Sequence, residues 1–128
     1  MLVVAYGNPG QVFKTALTIN VGETLALALQ FKQKANGMPL DITDYNLKAT
    51  INFPEPLGPQ EFTTQNTAIV ITDPTNGKAV WNIPSSLTAS FPVGNNYPYD
   101  VWLESPNNFE FPTMQGPFVI LPTVSPVP

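Results

Sequence analysis

Apolar and polar residues alternate with a period of two along most of this chain. The clearest case is the segment 24–32, whose apolar positions are Leu25, Leu27, Leu29 and Phe31. Because successive side chains of a β-strand point to opposite faces, this pattern predicts a strand with one buried face. A helix would require a polar face at a period of 3.6, and the segment has none.

The same alternation predicts strands at 12–21, 45–53, 78–83 and 97–103. Shorter β-branched or apolar runs predict further strands at 62–65, 68–72, 109–114 and 117–121. Turn-forming residues separate these runs about every 8–12 residues, which is typical of a β-sandwich or small barrel. The turn at 73–77 predicts a hairpin of the two strands beside it, and Gln115-Gly116 predicts a break between the last two strands. Residues 84–89 are long enough for a single helical turn. The sequence therefore predicts an all-β fold, an antiparallel β-sandwich or small barrel of about seven to nine short strands with extended termini.

The expected sandwich covers residues 11–121, between an N-terminal arm at 1–10 and a Pro-rich C-terminal tail at 122–128. Both terminal segments are uncharged. Such segments can dock on a neighbouring subunit by adding a strand to a sheet edge, or they can simply fray. In the docking interpretation the contact residues are Leu2, Val3, Val4, Tyr6, Val124 and Val127.

Charge is sparse and unfavourable for polyanionic partners. Charged residues are 11% of the 128, and the net charge is −4, whereas charged residues average about 25% in soluble domains. The five cationic residues are all lysines, scattered along the chain. Nucleic acids and anionic membranes attract clustered cations, so neither is an expected partner. The remaining polar surface could face another protein or simply be a neutral exterior.

Conventional catalytic and metal-binding groups are scarce. The chain has no His and no Cys, which excludes Ser-His-Asp and Cys-His catalysis, disulfides and zinc fingers. The carboxylates at 41–44, and Glu104 with Glu110, have no spacing that defines a glycosidase cleft. Neither 41–44 nor 73–77 follows the ligand order of a calcium-binding loop. We predict no catalytic residue, no cofactor and no metal site.

The two tryptophans are predicted to lie in different environments. Trp102 falls on the polar side of the strand at 97–103, in register with Asp100 and Glu104. An outward tryptophan can stack on a sugar ring or anchor a protein interface, although a neighbouring loop could also bury it. Trp81 falls on the apolar side of its strand and is predicted to lie in the core.

Five segments follow one another in a characteristic order: Val21–Leu27, Asn36–Tyr45, Ile71–Trp81, Leu87–Val101 and Gly116–Pro122. They contain Gly-Glu-Thr, Asn-Gly-Met-Pro with Leu-Asp-Ile-Thr-Asp-Tyr, Asn-Gly, Leu-Thr-Ala with Tyr-Pro-Tyr-Asp-Val, and Gly-Pro-Phe-Val-Ile-Leu-Pro. This series resembles an immunoglobulin-like domain of tailed-phage baseplate and tail-fibre proteins, such as the N-terminal domain of baseplate upper proteins. The chain departs from the pattern at Asp44, where the family usually has Gly.

The resemblance implies a non-enzymatic adaptor of a phage virion, assembled in the host cytoplasm. Its expected partners are other virion proteins, including copies of itself. The same sandwich occurs in capsid decoration proteins and head fibres, so a place on the capsid is an alternative to the tail or baseplate. A further alternative is a carbohydrate-binding module that uses Trp102 to bind a host-surface glycan.

Overall fold

A computed structural model describes the backbone of residues 2–6 together with residues 12–33 and 36–122. These residues form ten strands: β1 (Leu2–Tyr6), β2 (Phe13–Lys14), β3 (Leu17–Asn20), β4 (Leu25–Lys32), β5 (Asn46–Asn52), β6 (Pro59–Thr63), β7 (Ile69–Asp73), β8 (Lys78–Ile83), β9 (Gly94–Glu104) and β10 (Glu110–Leu121). A 3-10 turn spans Pro74–Asn76, and a short helix, α1, spans Ser85–Thr88. The helical turn predicted at 84–89 is thereby confirmed.

The strands form two sheets, and the fold is the all-β sandwich that the sequence predicted. The small sheet has the order β1-β4-β8-β7. The large sheet has the order β2-β10-β9-β5-β6, and β3 also pairs with β10. Most pairs are antiparallel, including the predicted hairpin of β7 and β8. By contrast, β1, β2 and β3 run parallel to their partners.

The core lies between the sheets and is built from the predicted apolar faces. In β4 the buried side chains include Leu27, Leu29 and Phe31, which alternate with more exposed residues. Trp81 of β8 is fully buried, as predicted. Its ring faces three aromatic rings of the large sheet, at centroid distances of 5.5 Å to Phe62, 6.1 Å to Phe118 and 6.4 Å to Tyr99. Tilted and edge-to-face pairs of this kind add to the stabilisation that burial alone provides.

The N-terminal arm and the C-terminal tail differ in what the structure describes. The backbone of β1 pairs with β4, from Leu2 opposite Ala28 to Tyr6 opposite Lys32. Part of the predicted arm therefore belongs to the small sheet, and strand pairing begins before residue 11. Five consecutive apolar residues show no alternation, so the sequence pattern did not indicate a strand there. The tail at 123–128 lies outside the described residues.

The prediction of one strand at 12–21 was wrong, because the chain leaves the ladder at residues 15 and 16 and forms β2 and β3 separately. Phe13, which lies on the apolar side of the alternation at 12–21, is 37% exposed. On the facing strand Pro117 lacks the backbone N–H that would extend the ladder. A hydrogen bond of 3.1 Å from the Thr15 N–H to the Gln115 carbonyl crosses the gap.

The predicted break at Gln115-Gly116 is also absent. Strand β10 runs without interruption through both residues, which lie opposite Asp100 and Tyr99 of β9. Gly116 has a φ of 158°, and a Cβ atom placed on it would lie 2.1 Å from the Thr15 carbonyl oxygen. Here glycine allows two backbones to approach closely instead of ending a strand.

This close approach makes Gly116→Ala a test of the fold. The added methyl group would collide with backbone, so we expect a loss of about 2–4 kcal/mol in the free energy of unfolding. Gly22→Ala is the matched control, because Gly22 has a φ of 80° but no atom within 4 Å of the added Cβ. It should cost only the backbone strain, about 1–2 kcal/mol. Urea denaturation followed by circular dichroism measures both, and equal losses would contradict the described contact.

Candidate functional site

The outer face of the large sheet carries an open groove of about 740 Å³ over β5, β6 and β9. The local sequence determines which side chains face it. Because Leu47, Ala49 and Ile51 of β5 point into the core, the residues between them must point outward. The same rule applies to β9, where Tyr99, Val101 and Leu103 are buried. The central outward side chains are Lys48, Thr50, Glu61, Asp100, Trp102 and Glu104.

The strand registers arrange these side chains in rows across the sheet. Trp102 lies opposite Lys48 of β5 on one side and Pro112 of β10 on the other. In the next row, Asp100 lies opposite Thr50 and Gln115. Side chains that face one another in this way are close enough to interact or to contact one ligand together.

Trp102 is 37% exposed at the centre of this face. It lies on the outward side of β9, as its position in the alternation predicted, and is not buried under a loop. Its role in an interface stays a prediction. Strand β9 is paired on both sides, with β10 and β5, so the backbone that carries the indole is held in place.

One end of the groove is ordered by side-chain hydrogen bonds. The amide nitrogen Nδ2 of Asn46 donates to Glu104 Oε1 at 3.2 Å. Thr64 Oγ1 donates to Asn46 Oδ1 at 3.3 Å and accepts from the Leu47 N–H at the same distance. These bonds fix the orientation of the amide and of one carboxylate before any ligand arrives.

The middle of the groove contains both paired and unpaired polar groups. Lys48 Nζ lies 3.2 Å from Glu61 Oε1, and about half of each side chain is exposed to solvent. The Asp100 carboxylate and the Thr50 hydroxyl, which line the same groove, make no side-chain hydrogen bond to any described residue. Both groups therefore face the groove with unused hydrogen-bonding capacity.

The candidate carboxylate pairs have different surroundings. Asp41 Oδ1 accepts hydrogen bonds from the Thr43 hydroxyl and, at 2.9 Å, from the Thr43 N–H. These bonds hold the pKa of Asp41 below its usual value, and they are typical of an aspartate that stabilises a turn. Glu104 and Glu110, by contrast, lie opposite each other on β9 and β10 and both line the groove. No group of acidic residues in the described ranges has an arrangement suited to a metal ion.

A second groove, of about 590 Å³, extends across the same face beyond Asp100. Its floor lies where β2 and β3 separate. There the buried Tyr99 hydroxyl donates a hydrogen bond of 2.7 Å to the Thr15 carbonyl oxygen. Burial raises the pKa of Tyr99, so the phenol stays protonated and keeps this bond. Both grooves are lined by Asp100, which places them side by side.

The structure does not gather the predicted interface residues into one patch. Leu2, Val3, Val4 and Tyr6 lie in β1 at an edge of the small sheet, whereas Trp102 lies on the large sheet. The predicted contacts Val124 and Val127 lie outside the described residues. A contact through both regions would therefore involve two separate surfaces.

Sequence analysis missed the free edge of the small sheet. Strand β7 pairs only with β8 within the described parts of the chain. Its sequence is Ile-Val-Ile-Thr-Asp, and Val70 is 45% exposed. Strand β6, at an edge of the large sheet, differs from β7. It begins with Pro59 and carries Glu61, and both features discourage pairing with another strand. Residues 69–73 contain neither proline nor lysine, and this absence is the sequence feature that could have indicated an edge suited to pairing.

The sequence matches no protein-family model and no curated protein sequence. Among solved structures, the chain is similar to the N-terminal domain of phage TP901-1 ORF48, with a TM-score of 0.61 and 13% identity. The match covers 94% of this chain and 98% of that domain. The two share a fold over nearly their whole lengths. In the parts of this chain that the structure describes, no helix is long and apolar enough to cross a membrane.

The different exposures of the two tryptophans can be measured by fluorescence. Trp102→Phe leaves only the buried Trp81, whose emission we expect to be blue-shifted and poorly quenched by acrylamide. Trp81→Phe leaves only Trp102, which should be quenched several-fold more efficiently. Each variant is first shown to be folded by circular dichroism, and urea-unfolded samples provide the fully accessible reference. Equal quenching of the two folded variants would contradict the described burial.

Proposed function

We propose that this protein is a non-enzymatic structural protein of a phage virion, a β-sandwich adaptor in the tail or baseplate. The observation that carries the proposal is the fold shared with the N-terminal domain of phage TP901-1 ORF48 over 94% of this chain. The ordered motifs between Val21 and Pro122, which resemble those of baseplate and tail-fibre domains, support the position in the tail. In this proposal the protein is assembled in the host cytoplasm and its partners are other virion proteins and copies of itself.

The physical basis of assembly in this proposal is strand addition at the sheet edges. An edge strand presents unpaired N–H and C=O groups that can pair with another chain. Strand β7 suits this role because its first four residues carry no charge and no proline. The complementary strand comes from a neighbouring virion protein or from another copy of this chain in the same proposal. Many weak contacts of this kind, repeated in a particle, give strong overall binding by avidity.

Gold-labelled antibody on purified phage particles tests the proposal directly. We expect label at the tail tip or baseplate in electron micrographs. Label over the head would replace the tail position with capsid decoration by the same fold. Particles that carry no label, from a lysate in which the soluble protein is detected, would contradict a structural role in the virion.

The role of the β7 edge is tested by Val70→Lys. A lysine on an edge strand opposes the approach of another strand, so we expect a several-fold loss of incorporation into particles. The side chain is 45% exposed, so the free energy of unfolding should change by no more than about 0.5 kcal/mol. Quantitative immunoblotting of particles from a complemented deletion phage measures incorporation.

The matched control is Val93→Lys, which makes the same change at a valine that is 57% exposed and outside every strand. It should be incorporated like the wild-type protein. Equal incorporation of the two variants would show that the edge of β7 makes no contact needed for assembly.

A further inference from the structure

The groove over β5, β6 and β9 combines an exposed indole with polar side chains that have no partner within the described residues. Trp102 offers an apolar ring surface. Asp100 and Thr50, in the neighbouring row, offer hydrogen-bonding groups. A ligand that suits this surface has an apolar face and polar edges.

We infer that this groove binds a neutral oligosaccharide, with Trp102 stacking on a sugar ring and with Asp100 and Thr50 binding its hydroxyl groups. A pyranose ring has such an amphipathic form, since its C–H groups form faces and its hydroxyls project from the edges. Tryptophan contributes a large, rigid contact surface to such a site at a small cost in conformational entropy. The inference concerns a property of the isolated protein, so it does not depend on a place in a virion.

The spacing of the groups fits one ring and its substituents. Trp102 and Asp100 are two residues apart on one strand, which separates them by about 7 Å on the same face. Thr50 lies opposite Asp100 on the adjacent strand, about 5 Å away. The carboxylate can only accept hydrogen bonds, whereas the Thr50 hydroxyl can both donate and accept. Sugar hydroxyls can satisfy both, because they also donate and accept.

The charge of the groove selects against anionic ligands. Its lining includes four carboxylates, those of Glu61, Asp100, Glu104 and Glu110. Among the described lining residues Lys48 is the only cation, and it is already paired with Glu61 at 3.2 Å. Sulfate, phosphate and carboxylate groups bind where free cations are available. A neutral sugar needs none.

The dimensions of the groove favour a chain of sugars. Its volume of about 740 Å³ lies within the usual range for small-ligand sites, roughly 300–1,000 Å³. The second groove adds about 590 Å³ on the far side of Asp100. Because both lie open on a rigid sheet, an oligosaccharide can enter from the side and extend past Trp102 without strand movement.

The test is a titration of the full chain with a panel of neutral oligosaccharides of glucose, N-acetylglucosamine, galactose and rhamnose. Sulfated and phosphorylated oligosaccharides of the same lengths are the anionic comparison. We expect saturable calorimetric binding of at least one neutral oligosaccharide, together with a change in tryptophan emission. Trp102→Ala should weaken this binding about tenfold or more, and Trp102→Phe should restore part of it.

The matched control is Phe109→Ala, since Phe109 is an aromatic residue that is 53% exposed but does not line the groove. It should bind like the wild-type protein. Asp100→Ala tests the polar half of the site and should also weaken binding, even if Trp102→Ala fails to fold. The inference is overturned if no neutral oligosaccharide binds, if only anionic ones bind, or if Phe109→Ala reduces binding as much as Trp102→Ala. Labelling of phage particles, positive or negative, does not affect this result.

Discussion

The packing of Trp81 against the large sheet is the interaction on which the remaining structure depends. This one side chain of the small sheet contacts rings of β6, β9 and β10. Its complete burial requires the inner faces of both sheets to be apolar, and the period of two then turns the intervening residues outward. The orientation of Trp102 is thus a consequence of the core, because Val101 and Leu103 beside it are fully buried. The groove and the core therefore lie on opposite faces of the same strands.

Most of the sandwich was predictable because it follows from local alternation. The pattern identified β4, β5, β8 and the part of β9 from 97 onward, and turn residues located the β7–β8 hairpin. Residues 94–96 also belong to β9, which the alternation did not indicate. The errors occurred where pairing between distant segments decides the structure. An apolar run such as Leu2–Tyr6 forms a strand because it pairs with β4, which lies elsewhere in the sequence. Likewise, residues 15 and 16 leave the ladder opposite Gly116 and Pro117, which lie about a hundred residues further along the chain.

The candidate site was only partly predictable for the same reason. The alternation of side chains along one strand was sufficient to place Trp102, Asp100 and Glu104 on one face. It could not identify Thr50 and Lys48 as their neighbours, because this depends on the register of β5 against β9. That β7 is an edge strand among the described residues also depends on the order of strands, which no local pattern contains. Sequence therefore identified the central residue of the groove, and the topology supplied its surroundings.

The position of β10 has a mechanical consequence. This strand pairs with β9 along one side and with β2 and β3 along the other, and its last residue is Leu121. A force applied between Leu17 and Leu121, at opposite ends of the parallel pair of β3 and β10, acts along both strands, so the hydrogen bonds between them are loaded together in shear instead of opening one after another. Separation of β10 from β3 in this direction then requires their hydrogen bonds to break together.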